Sequence, residues 1–304
     1  MSAPVIVNSR SPLLVQADRM GALEREITRL GRQITLGERF TTPSEDPAAA
    51  SRAALLTRLD SRLEADERSL GRAGARLALA ESAVTNAGTA LLRARELGLS
   101  AANGTLNAED RQVIGRELSV LAGQLLDSAN MRDESGRYLF AGSRNADPAY
   151  TADAEGVVQW QGVDRAAGAE AAGVDGASPP SGPALFGAGD GSAFEAVRLL
   201  REAMAMTDGE ERGPAIATAL SALETAHNRL IDGQARIGAG RARIEQEEDR
   251  LSMARLQTAE ALAAVKGLDE VAAIARLDAL KTTLDAAQGS FIRIYDGTLF
   301  DRLG

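Results

Sequence analysis

Leu56, Leu63, Leu70, Leu77, Val84 and Leu91 recur at every seventh position, with Leu59, Ala73, Ala80, Ala87 and Ala94 three places after those anchors. An apolar period of 3.5 residues held this long lays one seam along a helix, and that seam must meet another helix. A second stretch repeats the interval at Leu223, Leu230, Ile237, Ile244 and Leu251.

The prolines permit helices of that length. Pro4, Pro12, Pro43 and Pro47 punctuate the start, none follows until Pro148, and none appears after Pro214. A proline inside a helix costs about 3 kcal/mol, so the long helices belong in the two proline-free stretches. A helix from Pro47 to about Asn103 would run about 85 Å at 1.5 Å per residue, which predicts a rod. Asp46 is placed to cap it with Pro47 in its first turn, Gly37 to end the helix before it, and Gly104 to stop it. Asn107 and Asp110 suit a capping arrangement for a third helix whose inner face is Ile114, Leu118, Leu121 and Leu125.

Between the helical halves, Tyr138 to Gly191 is rich in Gly, Asp, Ala and Pro, and Val157-Val158-Gln159-Trp160 is its best strand. Six of the ten aromatic residues, Tyr138, Phe140, Tyr150, Trp160, Phe186 and Phe194, fall between Tyr138 and Phe194. The ends carry shorter seams: Leu13, Met20, Leu23, Ile27, Leu30 and Ile34 at one, Leu277, Leu280, Leu284, Ala287, Phe291 and Ile294 at the other. Such terminal helices pair with each other or with neighbouring molecules; a closed monomeric bundle is the alternative. The expected organisation is mainly α: a terminal helix and linker (1–43), long helices (44–135), a small partly β insertion (136–191), returning helices (192–266) and a C-terminal helix (267–304).

Chemistry is scarce. A net charge of −9 without a basic stripe argues against nucleic acid. The absence of cysteine and the single histidine, His227, remove thiolate and multi-histidine metal sites. His227 lies between Leu223 and Leu230 and reads as a packing residue. Glu245, Glu247 and Glu248 near Arg241, Arg243 and Arg250 read as a solvated face with i,i+4 pairs. Gly136, Gly142 and Gly156 lack the spacing of a phosphate loop. No run of about 18 apolar residues would insert in a membrane, and Met1–Arg10 lacks the features of a secretory signal. No cofactor is indicated, and the residues alone describe an assembly protein rather than an enzyme.

Several segments resemble the bacterial flagellin family as a set. Gly37 to Ala48, with Arg39, Pro43, Ser44, Asp46 and Pro47, resembles the turn after the family's first helix, with Phe40 for the usual aliphatic residue and Glu45 for an aspartate. Asn103, Arg111 and Glu117 are similar to the entry of its third helix. Asn130 with Tyr138, Phe140 and Gly142 resembles a Gly-x-Tyr-x-Phe-x-Gly signature of its hook-associated branch, as does the Leu299-Phe300 ending. Gly238 and Arg243 are similar to a segment of the C-terminal half, where Ala242 replaces the usual asparagine.

The resemblance implies a structural role in the extracellular flagellum, joining hook to filament after type III export. It implies as partners the type 1 hook-associated protein, flagellin, further copies of the chain in a ring, and an export chaperone. It also implies Leu13, Met20, Leu23, Ile27, Leu30 and Ile34 as one assembly face, and Leu277, Leu280, Leu284, Phe291 and Ile294 as the other. Filament flagellin, or a secreted helical effector or adhesin, stays open as an alternative.

Overall fold

The heptads become the two longest helices. The computed structural model describes residues 10–103, 106–154, 156–163 and 173–300, with the side chains of 10–13 and 294–300 left aside. In chain order the elements are α1 (Arg10–Leu36), α2 (Pro47–Ala102), α3 (Ala108–Ala129), β1 (Tyr150–Ala152), β2 (Val158–Trp160), α4 (Gly182–Phe186), α5 (Ala193–Ala205), α6 (Gly209–Lys266) and α7 (Glu270–Phe300). Among the described residues the fold is mainly helical with one small two-stranded sheet. The predicted stop at Gly104 lies outside the described residues.

The chain forms two compact units. One takes the described residues of 1–62 and 255–304, the other those of 63–254.

In the second unit α2 and α6 run antiparallel and bring the two heptads together. A Cβ on Gly98 would lie 2.8 Å from Leu220 Cδ2, one on Gly74 3.8 Å from Ile244 Cγ2, and one on Gly240 3.2 Å from Leu77 Cδ1. Leu70, Leu77, Leu91, Leu223 and Leu230 are fully enclosed in this seam. Each such side chain taken out of water contributes about 1.5–3 kcal/mol. α3 begins with a reciprocal capping box, in which Asn107 Oδ1 accepts the Asp110 amide at 2.9 Å and Asp110 Oδ2 accepts the Asn107 amide at 3.2 Å. Its buried face is Ile114, Leu118, Leu121 and Leu125, and it packs on α5.

The insertion is held by aromatic rings rather than by its sheet. β1 and β2 pair antiparallel with Tyr150 opposite Trp160. Phe140 and Phe186 meet edge-on at 5.4 Å, and Tyr150 lies 4.9 Å from Phe194. The Tyr150 hydroxyl donates to Gly187 O at 2.7 Å, and burial pushes its pKa far above the usual phenol range, so it remains a donor.

Three expectations change. Leu59 is 45% exposed, because the seam steps by four between Leu56 and Leu63 and puts Asp60 inward, 3.2 Å from Arg255. α6 starts at Gly209 and passes through Pro214, one turn earlier than the proline pattern suggests. Its proline falls in the second turn, where a single intrahelical bond is forfeited. The acidic and basic residues of α6 do not form an i,i+4 ladder. Arg241 reaches Glu81 on α2, Arg243 Nη1 donates to Asp175 O at 3.1 Å, and Arg250 pairs at i,i+3 with Glu247. α5 precedes α6 as a separate helix capped by Ser192, whose hydroxyl accepts the Glu195 amide at 3.1 Å.

Candidate assembly interface

The terminal unit is built around the turn between α1 and α2. α1 ends in a Schellman arrangement: Gly37 at φ +66° lets its amide donate to Ile34 O at 3.3 Å and the Glu38 amide to Gln33 O at 3.1 Å. Gln33, itself buried, turns its Nε2 onto Arg39 O at 2.5 Å.

The next residues clasp the turn between α6 and α7. The Arg39 amide donates to Lys266 O at 2.7 Å, the Leu268 amide donates to Gly37 O at 3.1 Å, and Lys266 Nζ lies 3.1 Å from Glu38 Oε1. Phe40 closes an apolar plug with Ala49 and Ala53, against which Leu262 and Val265 pack. The Phe40 ring fits here because its neighbours on α2 are alanines.

The carboxylates of the linker each have a task. Asp46 Oδ1 caps α2 by accepting the Ala49 amide at 2.9 Å, while Oδ2 meets Arg39 Nη2 at 3.1 Å. Pro47 opens α2, where its missing N–H leaves no gap. Glu45 Oε2 accepts the Thr41 amide at 2.7 Å, and that backbone bond holds the Glu45 carboxyl below its usual range. Pro43 and Ser44 are exposed at the tip, with the Ser44 and Thr42 hydroxyls 3.0 Å apart.

α7 is capped by Asp269, whose Oδ1 accepts the Ala272 amide at 3.0 Å, and it packs on α1. Arg276 Nη2 bridges the pair to Glu26 at 2.8 Å. Leu30 is buried; Met20, Leu23, Ile27 and Ile34 on α1 and Leu277, Leu280, Leu284 and Phe291 on α7 are half-buried. The side chains of Leu13 and Ile294 lie outside the described residues. Other apolar side chains stay exposed, among them Leu14 at 65%, Leu36 at 62%, Val271 at 81% and Ile292 at 59%. This chain alone therefore leaves apolar surface on both terminal helices that a further helix would cover.

The remaining motif positions lie in the other unit and do not converge on one site. Asn103 is exposed where α2 ends. Arg111 Nη1 donates to Leu106 O at 3.1 Å, and Glu117 pairs with Arg93 at 2.7 Å, tying α3 to α2. Tyr138 is buried beneath the Arg132 guanidinium, 4.4 Å from its ring centroid. Phe140 joins the aromatic cluster, and Gly142 takes φ +63° beside Val163. A Cβ at Gly238 would meet open space. The helix–insertion contact that needs glycine falls at Gly240, where a Cβ would collide with Gly176 O, and at Gly233, where it would collide with Leu185. His227 is half-buried, and its Nδ1 has no hydrogen-bond partner among the described residues. Sequence reasoning missed Gln33, Glu38 and Lys266, which carry no local pattern because their partners lie at the other end of the chain.

Comparison with known proteins places this architecture. Residues 7–145 match the family model of the bacterial flagellin N-terminal helical region. The flagellar hook-associated protein 3 of Salmonella typhimurium is 37% identical over 121 residues, which are 39% of this chain and 38% of that protein. The chain thus spans about two fifths of the length of the curated relative it matches. Among solved structures, a flagellar hook-associated protein from Vibrio parahaemolyticus superposes with a TM-score of 0.65 at 18% identity, over 73% of this chain and 100% of the other. The flagellar junction protein FlgL from Legionella pneumophila gives 0.55 at 16% identity, over 64% and 99%. Residues 7–145 are thus similar to the flagellin N-terminal helical region, and the described residues share the fold of solved flagellar hook-associated proteins.

Proposed function

We propose that this chain is a structural subunit of the extracellular bacterial flagellum that joins the hook to the flagellin filament. The observation that carries this reading is the 37% identity to a protein named for hook association, supported by the family match across α1, the linker and α2. Its role is mechanical rather than enzymatic. The partners are the type 1 hook-associated protein below, flagellin above, further copies of itself around a ring, and an export chaperone before assembly.

The terminal helices are the assembly elements. Met20, Leu23, Ile27, Leu30 and Ile34 on α1 pair with Leu277, Leu280, Leu284 and Phe291 on α7, while the apolar residues left outside that pair meet neighbouring subunits. Burial of this second row gives assembly its driving force, because its exposure to water is unfavourable in the free subunit. The full set includes Leu13 and Ile294.

Deleting the gene and restoring it on a plasmid tests the role. The account expects hooks without filaments, and flagellin free in the medium, until the gene is restored. Normal filaments in the deletion strain would refute it.

A further inference from the structure

The second unit holds a feature that the terminal helices do not explain. A cavity of about 590 Å³ opens beside α2, lined by Arg68, Arg72, Arg76 and Arg137 with Asp133 and Glu134. Four guanidinium groups against two carboxylates make it positive, in a chain whose net charge is −9.

Of these two acids, Asp133 is already committed. Asp133 Oδ1 accepts the amides of Ser135 at 2.9 Å and Arg137 at 3.0 Å, which fixes its own turn. Its Oδ2 is shared between Arg76 Nε at 3.4 Å and Arg137 Nε at 3.7 Å. Arg68 is held by Glu64 at 2.6 Å, whereas Arg72 has no ion pair among the described residues. Arg76 is the most enclosed of the four. Its Nε and Nη2 are buried with no hydrogen bond among the described residues, and burial depresses its pKa. A desolvated guanidinium that shares one carboxylate with a second guanidinium is undercompensated, and an added anion offsets that cost.

We propose that this arginine-lined cavity receives a side-chain carboxylate from a second copy of the chain. The inference rests on the reading of the chain as a polymerising subunit. With 43 acidic against 34 basic residues, each copy presents carboxylates in excess, so the positive cavity is complementary to the general surface of its neighbours. Identical subunits in a closed ring repeat one heterologous contact, cavity against acidic patch, around the whole assembly.

The test places a photo-crosslinking phenylalanine analogue at Ser178, on the cavity wall, in the full chain within cells assembling flagella. The expected adduct is chain to chain, with the crosslinked peptide carrying Asp or Glu. Arg72→Glu should cut its yield about tenfold through like-charge contact, while Arg95→Glu, exposed elsewhere on α2, leaves it unchanged. Thermal melts of both variants should match the parent, because both arginines are exposed. A flagellum that contains the chain but gives no chain-to-chain adduct, an adduct with another protein, or a yield indifferent to Arg72→Glu overturns the cavity assignment alone. Absence of the chain from flagella overturns the assembly reading, and this contact with it.

Discussion

Asn130 closes both backbone polar groups of Tyr150: its Nδ2 donates to the Tyr150 carbonyl at 2.9 Å, and its Oδ1 accepts the Tyr150 amide at 2.9 Å. One side chain at the end of α3 thereby docks the sheet, and Tyr150 carries the aromatic cluster behind it. Asn130→Ala leaves two enclosed groups unpaired and should cost about 2–4 kcal/mol of stability. Asn130→Asp keeps the acceptor and should fall between. Urea unfolding of the full chain measures both, and an unchanged midpoint for the alanine variant would refute the docking role.

Gly240 and Gly238 should respond oppositely to alanine. A Cβ at 240 meets the backbone oxygen of Gly176, which cannot swing aside as a flexible side chain does. Gly240→Ala should destabilise by about 1–3 kcal/mol. Gly238 faces open space within α6, so Gly238→Ala should stabilise by up to about 1 kcal/mol through helix propensity. Thermal melts of the two variants decide the matter, and destabilisation by both would contradict the open space at Gly238.

The linker should loosen in acid. Because the Glu45 carboxyl is held below the ordinary glutamate value of 4.5, chiefly by the Thr41 amide, its contribution is present above that value. It is lost as pH falls through the lower folded value. The Thr41 amide resonance should therefore titrate with a midpoint under 4.5, and Glu45→Gln should abolish that titration. A midpoint at or above 4.5 would show that the bond does not favour the ionised form.

Ile27→Asp should separate folding from assembly. Ile27 lies on the half-buried α1 face, in the terminal unit, whereas the leucine seam from Leu63 onward belongs to the other. A carboxylate on an apolar seam is costly to bury, so incorporation into flagella should fall strongly while the main thermal transition stays. Flagella assembled normally by this variant would contradict the assignment of the face.

These residues also mark how far a sequence speaks for itself. The seven-residue repeat specified α2 and α6 and half of the buried leucines of the second unit, because burial on a long helix leaves a period. The Asn107–Asp110 box and the Gly37 stop were legible because each is local chemistry. Leu59 misled because a seam that steps by four or by three looks alike until Asp60 finds Arg255. The clasp of Glu38 and Lys266 was invisible, since 228 residues separate its partners. Ser192 and Glu195 did carry a legible capping spacing, hidden within a glycine-rich stretch. For the candidate interface, the terminal apolar faces were readable as amphipathic helices. Which apolar side chains pair within the chain and which remain outside depended on how α1 meets α7.

The central claim is tested most directly by the ratio of this chain to hook protein in purified, sheared flagella, measured by quantitative mass spectrometry. A ring at the junction predicts a ratio far below one. A ratio far above one would make the chain a filament subunit, and its absence from the preparation would contradict a flagellar role altogether.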